Sequence, residues 1–109
     1  MYIYNVTINI DNNIHKEWLI WIESHILDVL NTGKFISAKL TEVLVEEEMG
    51  GRTYSVQYTA NTKEDIVDYY KVDAEKLRGE ALKKFADKML TFRTELKVIK
   101  EFYPTSLEN

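Results

Sequence analysis

The stretch "EMGGRTYSVQYTANTKED", residues 48–65, decides the fold. It holds three signals in a row. Gly50-Gly51 marks a tight reversal of the chain, because glycine alone enters left-handed turn conformations without steric cost. The next residues alternate: Tyr54, Val56, Tyr58 and Ala60 share one face, and Thr53, Ser55, Gln57 and Thr59 share the other. A period of two with one apolar side is a half-buried strand. At "NTKED" the pattern changes to a helix start. Asn61 or Thr62 caps it, and Glu64 and Asp65 suit the positive end of the helix dipole.

Working outward in both directions completes the order of elements. Upstream, "FISAKLTEVLVEEE" is the partner strand of that hairpin, with Ile36, Ala38 and Leu40 alternating against Ser37, Lys39 and Thr41. Its phase slips at Val43-Leu44-Val45, which predicts a bulge or a strand end buried on both faces. The adjacent glutamates of "VEEE", 45–48, could suggest a divalent-cation site. Neighbouring strand residues point to opposite faces, however, so a solvated loop start is expected. Before it lies "HKEWLIWIESHILDVL", His15–Leu30, a helix opened by Asp11, Asn12 or Asn13 and closed near Gly33. "YIYNVTINI" at the start alternates, with Tyr4, Val6, Ile8 and Ile10 facing inward and Asn5, Thr7 and Asn9 outward.

Downstream, the second helix runs past a break near Val72-Asp73, where Asp73 can cap a second segment, and continues through Leu77, Ala81, Leu82 and Phe85. "KMLTFRTELKVI" is the last strand. Hydrophobic alternation puts Leu90, Phe92, Leu96 and Val98 toward the core and Thr91, Arg93 and Glu95 outward. The order strand, helix, strand, strand, helix, strand is the split βαβ, ferredoxin-like motif: an α+β fold with four antiparallel strands and two helices on one face. Residues 1–100 are expected to form one domain, with 101–109 as a C-terminal tail after which Pro104 forbids further pairing.

Composition excludes several functions. The chain has 109 residues, no cysteine and a net charge of −4 with both signs interspersed. Thiolate metal sites, disulfides and cysteine nucleophiles are therefore absent. Nucleic-acid binders carry a basic face, and none is visible here. The longest apolar run is Trp18–Ile22, five residues, far below the ~20 needed to cross a bilayer. The start lacks the cationic and apolar regions of a secretion signal. A cytoplasmic protein with no nucleic-acid or membrane partner is the expectation.

The first helix carries both histidines. At ~100° per residue, Trp18, Trp21, Ile22, Ile26 and Val29 form one broad stripe, and His15 and His25 fall inside it. The two imidazoles lie ~15 Å apart along the axis, so they share no metal. No metal or cofactor is expected. His25 reads as a core histidine, with Asp28 one turn away as its partner. Ile20 and Leu27 form a narrow second stripe on the helix back, which predicts contact with a second copy of the chain.

The polar sheet face is the candidate ligand surface. Asn5, Gln57, Arg93 and Glu95, with His25, are the candidate ligand-binding residues. Arg93 is the group that would bias the site toward anions, because its planar fork matches a carboxylate. An ordinary cross-strand polar network is the alternative. No catalytic motif is present.

"IYNVTINID", "HKEWLIWIESHILDVLNTGKF", "VEEEMGGRTYSVQYT" and "FRTEL" together resemble an uncharacterised family of short bacterial proteins, a domain of unknown function, over about residues 2–99. More widely, the chain resembles the dimeric α+β barrel group. That resemblance implies a homodimer with the sheets face to face and cavities that bind small hydrophobic or aromatic molecules. The group includes cofactor-free monooxygenases, isomerases and haem-degrading enzymes. Asn5 and the two tryptophans echo the haem-degrading members, but the second helix lacks their histidine, so haem binding is not implied. Three readings follow. The first is a homodimeric small-molecule-binding protein without a cofactor. The second is a cofactor-independent enzyme of the monooxygenase or isomerase type, using His25, Arg93 or Tyr58. The third is a structural or regulatory interaction module. The sequence alone does not decide whether the protein is an enzyme.

Overall fold

A computed structural model describes residues 1–45 and 50–105. Four strands form one antiparallel sheet: β1 (Tyr2–Ile10), β2 (Ser37–Glu42), β3 (Arg52–Ala60) and β4 (Met89–Lys97), in the order β2-β3-β1-β4. Three helices accompany them: α1 (His15–Leu30), α2 (Lys63–Val72) and α3 (Ala74–Phe85). This is the ferredoxin-like arrangement, with the second helix of the motif divided in two.

The alternation in β1 and β3 does what the sequence requires. Tyr4, Val6, Ile8, Ile10, Tyr54, Val56, Tyr58 and Ala60 are all buried beneath the helices. Register fixes which residues meet: Tyr4 opposite Tyr58, Val6 opposite Val56, Ile8 opposite Tyr54. Trp18, Ile22 and Val29 of α1 and Ile66, Tyr69, Leu77 and Phe85 of α2 and α3 close the core from above. Burying a large apolar side chain contributes about 1.5–3 kcal/mol, so this layer carries the fold.

The caps follow the sequence with two exceptions: Asp11 caps a short 3-10 turn, Asn12–Ile14, so that α1 itself, with Ile14 as its N-cap residue, has no side-chain cap, and Asp73 does not cap α3. Asp11 accepts from Asn13 N at 2.9 Å, Thr62 accepts from Asp65 N at 3.2 Å, and Gly33 takes φ +82° just beyond α1. Asp73 stands at the break between α2 and α3 but its side chain does not cap α3. It accepts instead from Lys34 Nζ at 3.2 Å, tying the break to the turn after α1. At the hairpin, Gly51 has φ +81° and a Cβ there would overlap the carbonyl oxygen of Ile10. Only glycine serves both requirements.

Two expectations are corrected. The partner strand β2 ends at Glu42, so Val43-Leu44-Val45 is neither a bulge nor a doubly buried end; Leu44 and Val45 are exposed. Glu46–Glu48 of the acidic run lie outside the described residues, as do the last four residues of the tail.

The larger correction concerns β4. Its register on β1 places Val6 opposite Arg93, Ile8 opposite Thr91 and Tyr4 opposite Glu95. Thr91, Arg93 and Glu95 therefore share the helix side of the sheet with the core tyrosines, not the polar face. Leu90 and Phe92 point to the open side and are 64% and 68% exposed, and Leu96 is 40% exposed. No helix among the described residues is long and apolar enough to cross a membrane.

Candidate functional site

β4 is an edge strand, and α3 passes above it without sealing the gap. Between them a cavity of about 40 Å³ runs in beneath α1, and its outer end opens into a groove of about 270 Å³. Arg78 of α3 and Thr91 and Arg93 of β4 border both spaces, with Ala81 and Met89. Tyr4, Trp21, His25, Tyr58 and Tyr69 line the inner part.

The chemistry converges on one oxygen. Tyr4 Oη accepts from Arg78 Nη2 at 3.0 Å and from Arg93 Nε at 3.1 Å. Tyr4 itself is 2% exposed and packed among Phe35, Tyr58, Tyr69 and Tyr70, with ring centroids 5.6–5.9 Å away. Arg78 also lies over the Tyr70 ring, 5.3 Å from its centroid. Neither guanidinium forms an ion pair among the described residues. Two cations thus share one neutral acceptor at the mouth of a largely apolar cavity. Glu95, on the same side, accepts from Tyr70 Oη at 3.1 Å rather than pairing with Arg93.

His25 faces the same cavity. Its ring stacks on Trp21 at 4.5 Å with an interplanar angle of 22°. Nδ1 is buried without a hydrogen-bond partner, so the expected bond to Asp28 is absent there. Burial holds the imidazole below its ordinary pKa, outweighing the opposite pull of Glu80 and Asp28, and the Arg93 charge adds to the lowering. The neutral ring is therefore the form at pH 7. Arg78 Nε is a second buried polar atom without a partner. Burial raises the phenols of Tyr58 and Tyr69 far above their usual value, and it pushes Tyr70 up to about 12 with help from its bond to Glu95.

The candidate residues divide between the two faces. His25, Arg93 and Glu95 lie on the helix side. Asn5 and Gln57 lie opposite each other on the open face. There Ser55 Oγ donates to Asn5 Oδ1 at 2.6 Å, Asn5 Nδ2 to Thr7 Oγ1 at 3.2 Å, and Asn9 Nδ2 to Thr53 Oγ1 at 3.1 Å. That is the cross-strand polar network. His15, the other histidine, is held by Tyr54 Oη at 2.5 Å, away from the cavity. Among the described residues no cluster of three or more histidines, cysteines or carboxylates could hold a metal.

Sequence reasoning missed Arg78 and Tyr4. Tyr4 reads as core and is core; nothing marks its hydroxyl. Arg78 was legible. On a helical wheel it falls within about 20° of Phe85, a charge set in an apolar stripe.

Comparison with solved structures gives the fold. A dimeric ferredoxin-like protein from an uncultured marine organism superposes with a TM-score of 0.64 at 17% identity, covering 95% of this chain and all of that one. An ethyl tert-butyl ether d (EthD) family protein from Bacillus halodurans gives 0.63 at 16%, covering 91% of this chain and all of that one. A protein from Deinococcus radiodurans, provisionally named an antibiotic biosynthesis monooxygenase, gives 0.61 at 8%, covering 97% of this chain and all of that one. No protein of curated function matches the chain. Residues 1–99 match the family described as Domain of unknown function (DUF4286), and the chain belongs to that family.

Proposed function

We propose that this protein is a small homodimer that binds an organic anion with an apolar body in the cavity beneath α1 and α3. The observation that carries the reading is the convergence of Arg78 and Arg93 on Tyr4 Oη, with no ion pair to either guanidinium among the described residues. Two adjacent cations repel. A phenol oxygen satisfies two of their donors but none of their charge. A carboxylate does both, and charge-assisted bonds of this kind contribute about 1.5–3 kcal/mol each. Apolar walls on one side and two forks on the other fit a carboxylate on a hydrocarbon or aromatic body.

The ligand residues are then Arg93, Arg78 and His25, with Tyr4 Oη as the acceptor that the carboxylate replaces and Glu95 as a second carboxylate nearby. Asn5 and Gln57 belong to the second half of the proposal, the dimer. The open sheet face sets a hydrogen-bonded polar centre beside an apolar band of Leu90, Phe92 and Leu96. A second copy covering that band would need to bury at least ~1,000 Å² in total to be stable.

Two measurements test the two halves. Thermal-shift screening of wild type, Arg93→Lys and Glu95→Gln against small carboxylates and neutral aromatics reads the site. Carboxylates should stabilise the wild type, Arg93→Lys should weaken that response, and Glu95→Gln should strengthen it. A ligand at 100 times its Kd adds about 2.7 kcal/mol of stability. Equal responses from all three proteins would defeat the anion site. Light scattering of wild type and Phe92→Lys reads the dimer, and a wild-type monomer at micromolar concentration would defeat it.

A further inference from the structure

The outer edge of β4 is open. The order β2-β3-β1-β4 makes it a terminal strand, and among the described residues its nine residues pair with β1 alone. The two bonds that flank this ladder fix which backbone groups are free. Val98 N donates to Met1 O and Asp11 N donates to Lys88 O, both at 2.9 Å. Residues of an antiparallel strand alternate between facing their neighbour and facing away. The even-numbered residues of β4 therefore serve β1. Met89, Thr91, Arg93, Glu95 and Lys97 turn their N–H and C=O groups outward. A long free edge of this kind is a template for another strand. The other terminal strand, β2, has only six residues.

We infer that β4 pairs with β4 of a second copy, antiparallel about a two-fold axis at Thr94, joining the two four-stranded sheets into one. The inference rests on the proposed dimer and names the edge that forms it.

Side-chain chemistry chooses the register. Outward backbone groups must meet outward groups, so the axis falls on a residue. An axis at Arg93 sets that residue against its own counterpart. An axis at Glu95 does the same and opposes Arg93 to Lys97. Like charges directly opposite are destabilising. Axes nearer the start of the strand leave Arg93 and Glu95 opposite uncharged residues. An axis at Leu96 pairs Glu95 with Lys97 but overlaps only the last turn of alternation, Glu95–Lys97, because the strand ends there.

At Thr94 both faces match at once. On the helix side, Arg93 lies opposite Glu95 of the partner subunit, and symmetry repeats the pair. On the open side, Phe92 lies opposite the partner's Leu96, and Leu90 opposite the partner's Val98. Phe92 is 68% exposed in the single chain. Arg93 has Nε on Tyr4 Oη, and Glu95 has Oε2 on Tyr70, so the other ends of both groups remain for the cross-strand pair. Thr91 and Arg93 also border the groove beside α3, so the partner's strand closes its outer side. Stacking the open faces would instead bury the hydrogen-bonded centre around Asn5, Thr7 and Ser55, which costs desolvation. Edge pairing leaves that centre in water.

The chain has no cysteine, so cross-linking reads the register directly. Thr94 would face its counterpart in a non-hydrogen-bonded pair, with Cα atoms ~4.5 Å apart, within reach of a disulfide. The two copies of Leu90 would lie eight residues apart along the strands, ~27 Å. Under mild oxidation Thr94→Cys should link into a covalent dimer, and Leu90→Cys should stay unlinked over the same time. In light scattering, Arg93→Glu and Glu95→Arg should each weaken the dimer roughly tenfold or more, because two attractive pairs become repulsive. An equimolar mixture of the two variants should recover it, since each then supplies the charge the other lacks. A wild-type dimer in which Thr94→Cys does not link, Leu90→Cys links as readily, or the mixture fails to recover overturns the inference and leaves the dimer itself standing. Should either charge variant fail to fold, the cysteine pair decides, since Thr94 and Leu90 are both exposed. A monomeric wild type overturns both readings, and Arg93 and Glu95 would then be charges that keep the edge from pairing.

Discussion

Replacing Tyr4 with phenylalanine removes one oxygen and leaves the packing intact, since the ring still meets Phe35, Tyr58, Tyr69 and Tyr70. That oxygen is the shared acceptor of Arg78 Nη2 and Arg93 Nε. Hydrogen bonds to charged groups contribute about 1.5–3 kcal/mol each, so two set a ceiling of about 3–6 kcal/mol. The ceiling is not reached. Arg93 sits on an exposed strand and rehydrates when released. Arg78 is half-buried, already has an unpartnered Nε, and cannot recover fully. The loss should be about 2 kcal/mol, nearly all from Arg78. For a domain of this size that lowers Tm by roughly 10 °C. The same reasoning fixes the response to anions. With the phenol gone, a carboxylate is the natural acceptor, so benzoate should recover more stability in Tyr4→Phe than it adds to wild type. Thermal denaturation followed by circular dichroism, with and without benzoate, measures both. A variant that melts within about 2 °C of wild type, or gains no more from benzoate, would refute the idea that Tyr4 organises the arginine pair.

Three further outcomes are expected. Gly51→Ala should cost about 1–3 kcal/mol in urea denaturation, because its φ of +81° and the Ile10 carbonyl both oppose a Cβ, whereas Gly50→Ala, with the same φ and open space, should cost less. Alkaline titration of phenolate absorbance should show Tyr70 ionising near pH 12, moved down by Glu95→Gln, with Tyr58 and Tyr69 protonated until the chain unfolds. Their folded pKa values lie above the unfolded value of 10.0, so the stability they contribute is complete below pH 10 and declines above it. His25 has the opposite sense: its folded pKa lies below 6.5, so the unfolded chain takes up the proton first and stability falls as pH drops below 6.5. His25→Leu should flatten that part of the stability curve, and an unchanged curve would refute it.

Most of the fold was legible because β1, β3 and α1 obey one rule, apolar inward. Their alternation and their 3.6-residue stripe each name a single buried face, and Tyr4, Val56, Trp18 and Ile22 all lie on it. β4 breaks the rule on both sides. Its inward residues Thr91 and Arg93 border an open groove, and Glu95 accepts from Tyr70, so polar side chains stand where the pattern expects apolar ones. Its outward residues Leu90 and Phe92 form an exposed apolar band. Hydrophobic periodicity reports which residues avoid water, not which side the helices occupy, so it inverted this strand. The candidate site was half legible for the same reason. Arg93 and His25 were singled out, but the inverted phase put Arg93 with Asn5 and Gln57. The alternation gave no hint that a core tyrosine would hold two arginines.

The phase of β4 also sets what changes of chain length this gene can tolerate. The turn Ala86–Lys88 delivers β4 to β1 with Met89 opposite Ile10. Side chains alternate strictly, so gaining or losing one residue in that turn would exchange the two faces of the strand. Phe92 or Thr94 would enter the cavity where Arg93 stands, and the arginine would be carried to the opposite surface. Such an indel spares the core of β1 and β3 and leaves a folded chain. In one event it removes both the Arg93 guanidinium from the cavity and the apolar band from the open face, whereas point substitutions would need several steps to do so. Length variation at this turn therefore tests what both faces of the strand do together, which no single substitution along it can.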